Sequence, residues 1–72
     1  MIQITNVAAT HYSHLGWCVE KFRGVNRGCG IILKNLDKAT ARRMAAVGNK
    51  AIENGQPVGI AVRRAFYQPR RG

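Results

Sequence analysis

Between Asp37 and Gly55 the apolar residues recur at helical spacing. Ala41, Met44, Ala45, Gly48, Ala51 and Ile52 fall on one stripe, and Lys38, Arg42, Arg43, Asn49, Lys50 and Glu53 fall on the other side. Both ends are marked. Asp37 is placed to cap through its carboxylate, Leu36 and Ala41 stand where a hydrophobic staple closes, and Asn54-Gly55 followed by Pro57 supplies a left-handed exit and a stop. The spacing therefore predicts a helix with one packing face and one basic face.

Elsewhere the period shortens. Trp17 to Arg23 and Cys29 to Leu36 are rich in aromatic and β-branched residues, and they flank Gly24-Val25-Asn26-Arg27-Gly28, where positive φ is tolerated. This predicts a β-hairpin. Its phase is open, because Trp17, Val19 and Lys21 alternate with Cys18, Glu20 and Phe22, and either set has the composition of an inner face. Upstream, Ile2 and Ile4 alternate against Gln3 and Thr5, which predicts a strand running to about Ala9, with its phase broken at Asn6-Val7-Ala8 and a turn near Ser13 to Gly16. Downstream, Pro57 to Tyr67 alternates: Val58, Ile60, Val62 and Phe66 on one side, Gly59, Ala61, Arg63, Ala65 and Tyr67 on the other. Only Arg64 interrupts it, so a final strand is expected.

These elements make an α+β fold, a small single domain over residues 1–67 in β-β-β-α-β order. Its antiparallel or mixed sheet carries one amphipathic helix packed on one face. Residues 68–72, Gln68-Pro69-Arg70-Arg71-Gly72, read as a flexible basic C-terminal tail. A single helix leaves one sheet face bare. The small residues Gly59, Ala61 and Ala65 beside Arg63 and Tyr67 suit close approach there by a nucleic acid or by a second copy in a homodimer.

Composition sharpens this picture. In 72 residues, 12 Lys and Arg stand against 3 Asp and Glu, a formal charge of +9 that points to a polyanion partner. A chain of this size buries only about 60% of the surface its unfolded form exposes, so the core is thin. No apolar run reaches the roughly 20 residues of a membrane span, and MIQITNVAAT has neither a basic leader nor an apolar signal core. A cytoplasmic protein without membrane partners is expected, and its two cysteines fit packed thiols in a reducing compartment.

The candidate chemistry is sparse. His11, His14, Cys18 and Cys29 have metal-ligand residue types, but the cysteines lie on two separate strands rather than paired on a tight turn, so they read as thiols and loop histidines with no metal or cofactor. Cys18 and Cys29 facing each other across the hairpin is the alternative, with an adventitious disulfide in oxidising buffer. Glu20, Asp37 and Glu53 are the only carboxylates, and with Asp37 as a cap they offer no acid and base pair, so an enzyme is not expected.

Binding has more to work with. The hairpin tip joins Arg23 and Arg27 to glycines that let backbone N–H groups approach a phosphate. Phosphate neutralisation is assigned to these two with Lys34, Arg42, Arg43, Lys50, Arg63, Arg64, Arg70 and Arg71, and base stacking to Trp17 and Tyr67. The expectation is a small basic nucleic-acid-binding accessory or regulatory protein of bacterial, plasmid or phage type, with DNA or RNA as partner. The alternative is a protein-binding inhibitor or modulator of a larger nucleic-acid-processing complex, such as a polymerase, nuclease or defence complex.

Overall fold

The computed structural model describes residues 4–24 and 27–67 as β1 (Asn6–Tyr12), β2 (Gly16–Phe22), β3 (Gly28–Leu36), α1 (Lys38–Glu53) and α2 (Val58–Tyr67). The strands form one antiparallel sheet in the order β1-β2-β3. Ile4 and Thr5 precede β1 rather than belonging to it, and Ile2 and Gln3 lie outside the described residues. The phase break at Asn6-Val7-Ala8 is the start of the strand, whose inward residue is the buried Val7. The expected turn follows: Leu15 N–H donates to Tyr12 C=O at 3.1 Å, and Gly16 takes a φ of 72°.

Register resolves the open phase of the hairpin. Val7 pairs with Lys21, Ala9 with Val19 and His11 with Trp17, and this set faces the helices; Val19 is in the core, with Ala9 and Trp17 packed against it. Cys18, Glu20 and Phe22 take the opposite face. The phase was illegible because both faces cover their middle residues, Val19 on one and Cys18 and Glu20 on the other. Irregular pairing between Val19 and Glu20 inserts a residue into β3, which lets the adjacent Ile32 and Leu33 both be buried. The same register separates the thiols. Cys18 pairs with neither Cys29 nor its neighbours, since Cys29 lies beside Lys21 and Phe22 at the far end of β2, and both cysteines are free.

α1 forms as its pattern predicts. Asp37 is extended at the N-cap and accepts from Thr40 N–H at 3.1 Å and from Thr40 Oγ1 at 2.6 Å. At the exit Gly55 has a φ of 68°, and Gln56 N–H donates to Ala51 C=O at 2.8 Å. Ala41, Met44, Ala45, Gly48 and Ala51 are buried on the stripe and Ile52 is half-buried. Gly48 is required by contact: a Cβ there would meet Val7 Cγ2 at 2.9 Å. Asn49 departs from its expected place on the polar side, because its carboxamide turns inward and bonds the Val7 backbone.

Val58–Tyr67 is a helix, not the expected final strand. Ala61 N–H donates to Pro57 C=O at 3.1 Å, and Pro57 sits at the helix start, where a missing N–H costs nothing. Val58, Ala61, Val62 and Ala65 form an i, i+3, i+4, i+7 stripe that packs inward. The strand reading put Ile60 and Val62 on one side, yet Val62 is 0% exposed and Ile60 is 58% exposed. Burying Val62 contributes about 1.5 to 3 kcal/mol. Its helix packs against α1 and reaches β3, so the observed order is β-β-β-α-α, with two helices over one sheet face instead of one. The small residues Gly59, Ala61 and Ala65, expected on a strand of the bare sheet face, lie on this helix instead, with Ala65 packed against the core and Ala61 half-buried. Among the described residues the other sheet face carries no helix.

Candidate nucleic-acid interface

A groove of about 530 Å³ runs between β1 and the flank of α1. Its sequence logic is simple. Ala9 on β1 and Ala45 and Ala46 on α1 are too small to fill the space between strand and helix, and Asn49 closes one end. Trp17 forms the other end. It projects from β2 toward the start of α1, its ring 5.1 Å from the His11 ring at a 52° tilt, with Lys38 Nζ 5.7 Å from its centroid. That Lys38 contact is a cation–π arrangement on an exposed rim. Lys38 and Arg42 are one helical turn apart, so both cations border the groove from one side.

The strand adds main-chain groups. The Val7 N–H and C=O bond Asn49 on α1 rather than β2. Because antiparallel pairing alternates, the Ala9 N–H and C=O turn the same way, toward the groove. The groove thus presents an aromatic ring, two cations and a backbone donor together. Such a set holds an anion and a flat ring side by side.

Only part of the expected contact set gathers here. Trp17 and Arg42 converge, Lys38 and Ala9 join them without having been singled out, and His11, considered above only as a metal-ligand type, lies against Trp17. Lys38 was visible as a member of the basic helix face, and its i, i+4 spacing to Arg42 was the available signal. Arg43 and Lys50 are exposed on α1 but do not line the groove. Arg23 and Arg27 are exposed at the hairpin end, where Arg23 N–H donates to Arg27 C=O at 2.8 Å. Lys34 is exposed on β3. Arg63, Arg64 and Tyr67 are exposed on α2, where Tyr67 meets Phe66 edge-on at 5.0 Å. Arg70 and Arg71 lie outside the described residues. The expected contacts are therefore spread over several surfaces rather than along one sheet face.

The helix-free sheet face holds one carboxylate. Glu20 is 8% exposed, and its Oε1 accepts from Tyr12 OH at 2.7 Å and from Thr10 Oγ1 at 3.0 Å. The hydrogen bond to Glu20 raises the Tyr12 pKa above its ordinary 10.0, because only the protonated phenol can donate. Among the described residues no three His, Cys, Asp or Glu side chains come together, and no helix is long and apolar enough to cross a membrane. No family model, curated protein or solved structure matches the chain.

Proposed function

We propose that the chain is a nucleic-acid-binding accessory or regulatory protein that works by binding rather than catalysis, in the reducing cytoplasm where Cys18 and Cys29 stay thiols. The observation that carries this reading is the convergence of Trp17, Lys38 and Arg42 on one groove in a chain of formal charge +9. Lys38 and Arg42 beside a phosphate displace its condensed counterions, and the attached base lies against Trp17. The exposed cations of α1, α2 and the hairpin add long-range attraction without choosing a sequence.

Trp17 is the one tryptophan in the chain, so its fluorescence reports the groove directly. Titration with single-stranded and duplex oligonucleotides should change that emission saturably, with log affinity falling linearly against log salt. Absence of salt-sensitive binding to every form of DNA and RNA at micromolar concentration overturns the proposal.

A second reading rests on α2. Ile60 is 58% and Tyr67 69% exposed, and a groove of about 430 Å³ beside them is bordered by Pro57, Ile60, Arg64 and Ala65. Exposed apolar side chains flanked by arginines suit an acidic, apolar surface of a larger protein. This is the modulator role, in which the chain docks on a nucleic-acid-processing complex.

A further inference from the structure

We infer that the helix-free sheet face is a base-reading site, in which Glu20 accepts a hydrogen bond from the exocyclic amino group of an unpaired base. The inference rests on the nucleic-acid reading and deepens it from phosphate binding to base choice.

Four observations carry it. Glu20 is the single side chain classed as both polar and buried among the described residues, and it lies outside the apolar core cluster. Its Oε1 is occupied by Tyr12 OH and Thr10 Oγ1, while Oε2 has no hydrogen-bond partner among the described residues. No buried side-chain oxygen or nitrogen among those residues lacks a partner, so Oε2 reaches solvent. Gly28 makes room for that oxygen: Oε2 lies against the Gly28 backbone, where a Cβ would collide with it. The carboxylate is thus oriented by two donors on Oε1, and among the described residues its Oε2 accepts no hydrogen bond. Around it, Tyr12 and Ile31 are each more than a third exposed, which gives the face an apolar surface of the kind a base lies on.

Charge decides which ligand fits. A free guanidinium or ammonium would pair with Glu20 locally, but a cationic partner is repelled by the formal charge of +9. A nucleic-acid strand is attracted by that charge, and on this face its phosphates are repelled at Glu20. The strand therefore meets Glu20 by a base edge rather than by its backbone. Cytosine offers the N4 amino group to such an acceptor, whereas uracil places the O4 carbonyl there and sets oxygen against oxygen. Single strands bring the whole edge and face of a base to a flat sheet surface, whereas a duplex shows its base edges only inside a groove. The geometry of β1 joins the two sites: Ala9 and His11 belong to the groove side, Thr10 and Tyr12 to the carboxylate side, so one strand crossing this sheet edge reaches both.

The test compares fluorescein-labelled oligo(dC) and oligo(dU) of equal length by anisotropy at several salt concentrations. The expected result is roughly 5-fold tighter binding of oligo(dC), the lower end of what one good base contact gives. Glu20→Gln should remove or invert the dC preference without changing the salt slope, because the Tyr12 and Thr10 hydroxyls hold the amide oxygen and turn its NH2, a donor, toward the base. Gly28→Ala should remove the dC preference by displacing Oε2 from its place, and it keeps the proposal falsifiable if Glu20→Gln fails to fold. Salt-sensitive binding with no dC preference, or with a preference that both variants retain, overturns the base-reading site and leaves the nucleic-acid reading standing. No salt-sensitive binding to either strand overturns both. Binding of an oligo-arginine peptide that is lost in Glu20→Gln also overturns it, by assigning the carboxylate to a guanidinium of a protein partner.

Discussion

The Asn49 carboxamide pairs with Val7 as a neighbouring strand would: Oδ1 accepts from Val7 N–H at 2.8 Å, and Nδ2 donates to Val7 C=O at 2.9 Å. β1 is an edge strand, and an edge with free main-chain groups invites pairing with another chain. Asn49 occupies that position at Val7, and Gly48 beside it lets the helix backbone come close enough to do so. The groove opens where this covering stops, at Ala9. One helix residue therefore both protects the edge and sets the end of the candidate interface.

Asn49→Asp should destabilise the domain by about 1 to 3 kcal/mol, since it removes the donor to Val7 C=O and leaves an oxygen facing it. Urea denaturation followed by circular dichroism measures this as a lowered midpoint. Arg42→Ala, one side of the same groove, should unfold close to the wild type. Equal midpoints for Asn49→Asp and wild type would show that the pairing contributes nothing.

The two periods available to the last element give opposite outcomes for one pair of substitutions. A strand places Ile60 and Val62 on the same face, whereas the helix buries Val62 and exposes Ile60. Val62→Asp should therefore abolish cooperative unfolding, and Ile60→Asp should shift it by less than about 0.5 kcal/mol. Similar damage from both would favour the strand.

Why α1 was legible and α2 was not is a matter of where the signal resides. For α1 the cap, the stripe and the glycine exit are all local, from Asp37 through Ala41 and Met44 to Gly55. For α2, Val58 and Val62 satisfy both i, i+2, i+4 and i, i+4, and the deciding cues were Pro57 at the start and the small inward residues Ala61 and Ala65. Small residues read as a flat binding surface when a strand is assumed, and as helix packing once the period changes. The candidate site was legible in its parts only. Trp17 and Arg42 are far apart in sequence, and their meeting depends on which flank of α1 lies over β1, which is set by the contact of Gly48 with Val7. Glu20 gave no sign of its hydrogen bonds, because its partners Thr10 and Tyr12 come from a strand whose register was unknown.

Two titrations work in opposite directions. The Tyr12 pKa is raised above 10.0, first by its hydrogen bond to Glu20, then by burial and by the Glu20 charge. Its contribution to stability is complete below the unfolded value and is lost as pH rises through the folded one. In a Tyr67→Phe background, tyrosinate absorbance should appear above the ordinary midpoint, and Glu20→Gln should move it back down. The Asp37 pKa is lowered from 3.8 by the Thr40 hydroxyl and by the Thr40 N–H. Its contribution is present above the unfolded value and is lost as pH falls through the folded one. Asp37→Ala should thus weaken the domain at neutral pH and flatten its acid limb. A Tyr12 midpoint that Glu20→Gln does not move would separate the two residues in solution.

Removing cations pair by pair tests whether the groove or the whole basic surface carries binding. Each lost phosphate contact should lower the slope of log affinity against log salt by about 0.7 on single strands and 0.9 on duplexes. Lys38→Ala with Arg42→Ala should therefore flatten the slope by roughly 1.4 to 1.8, because both cations border the space beside Trp17. Arg63→Ala with Arg64→Ala removes the same charge from α2, which contributes nothing to that groove, and should leave the slope nearly unchanged. Trp17→Phe keeps an aromatic ring in the half-buried position and should weaken single-strand binding by less than the roughly 1 to 3 kcal/mol of a fully lost stacking ring, with the slope intact. Equal flattening by the groove pair and the α2 pair would mean that phosphates sample a diffuse positive field. In that case Trp17, Lys38 and Arg42 have no special part in binding, and the groove is not the interface.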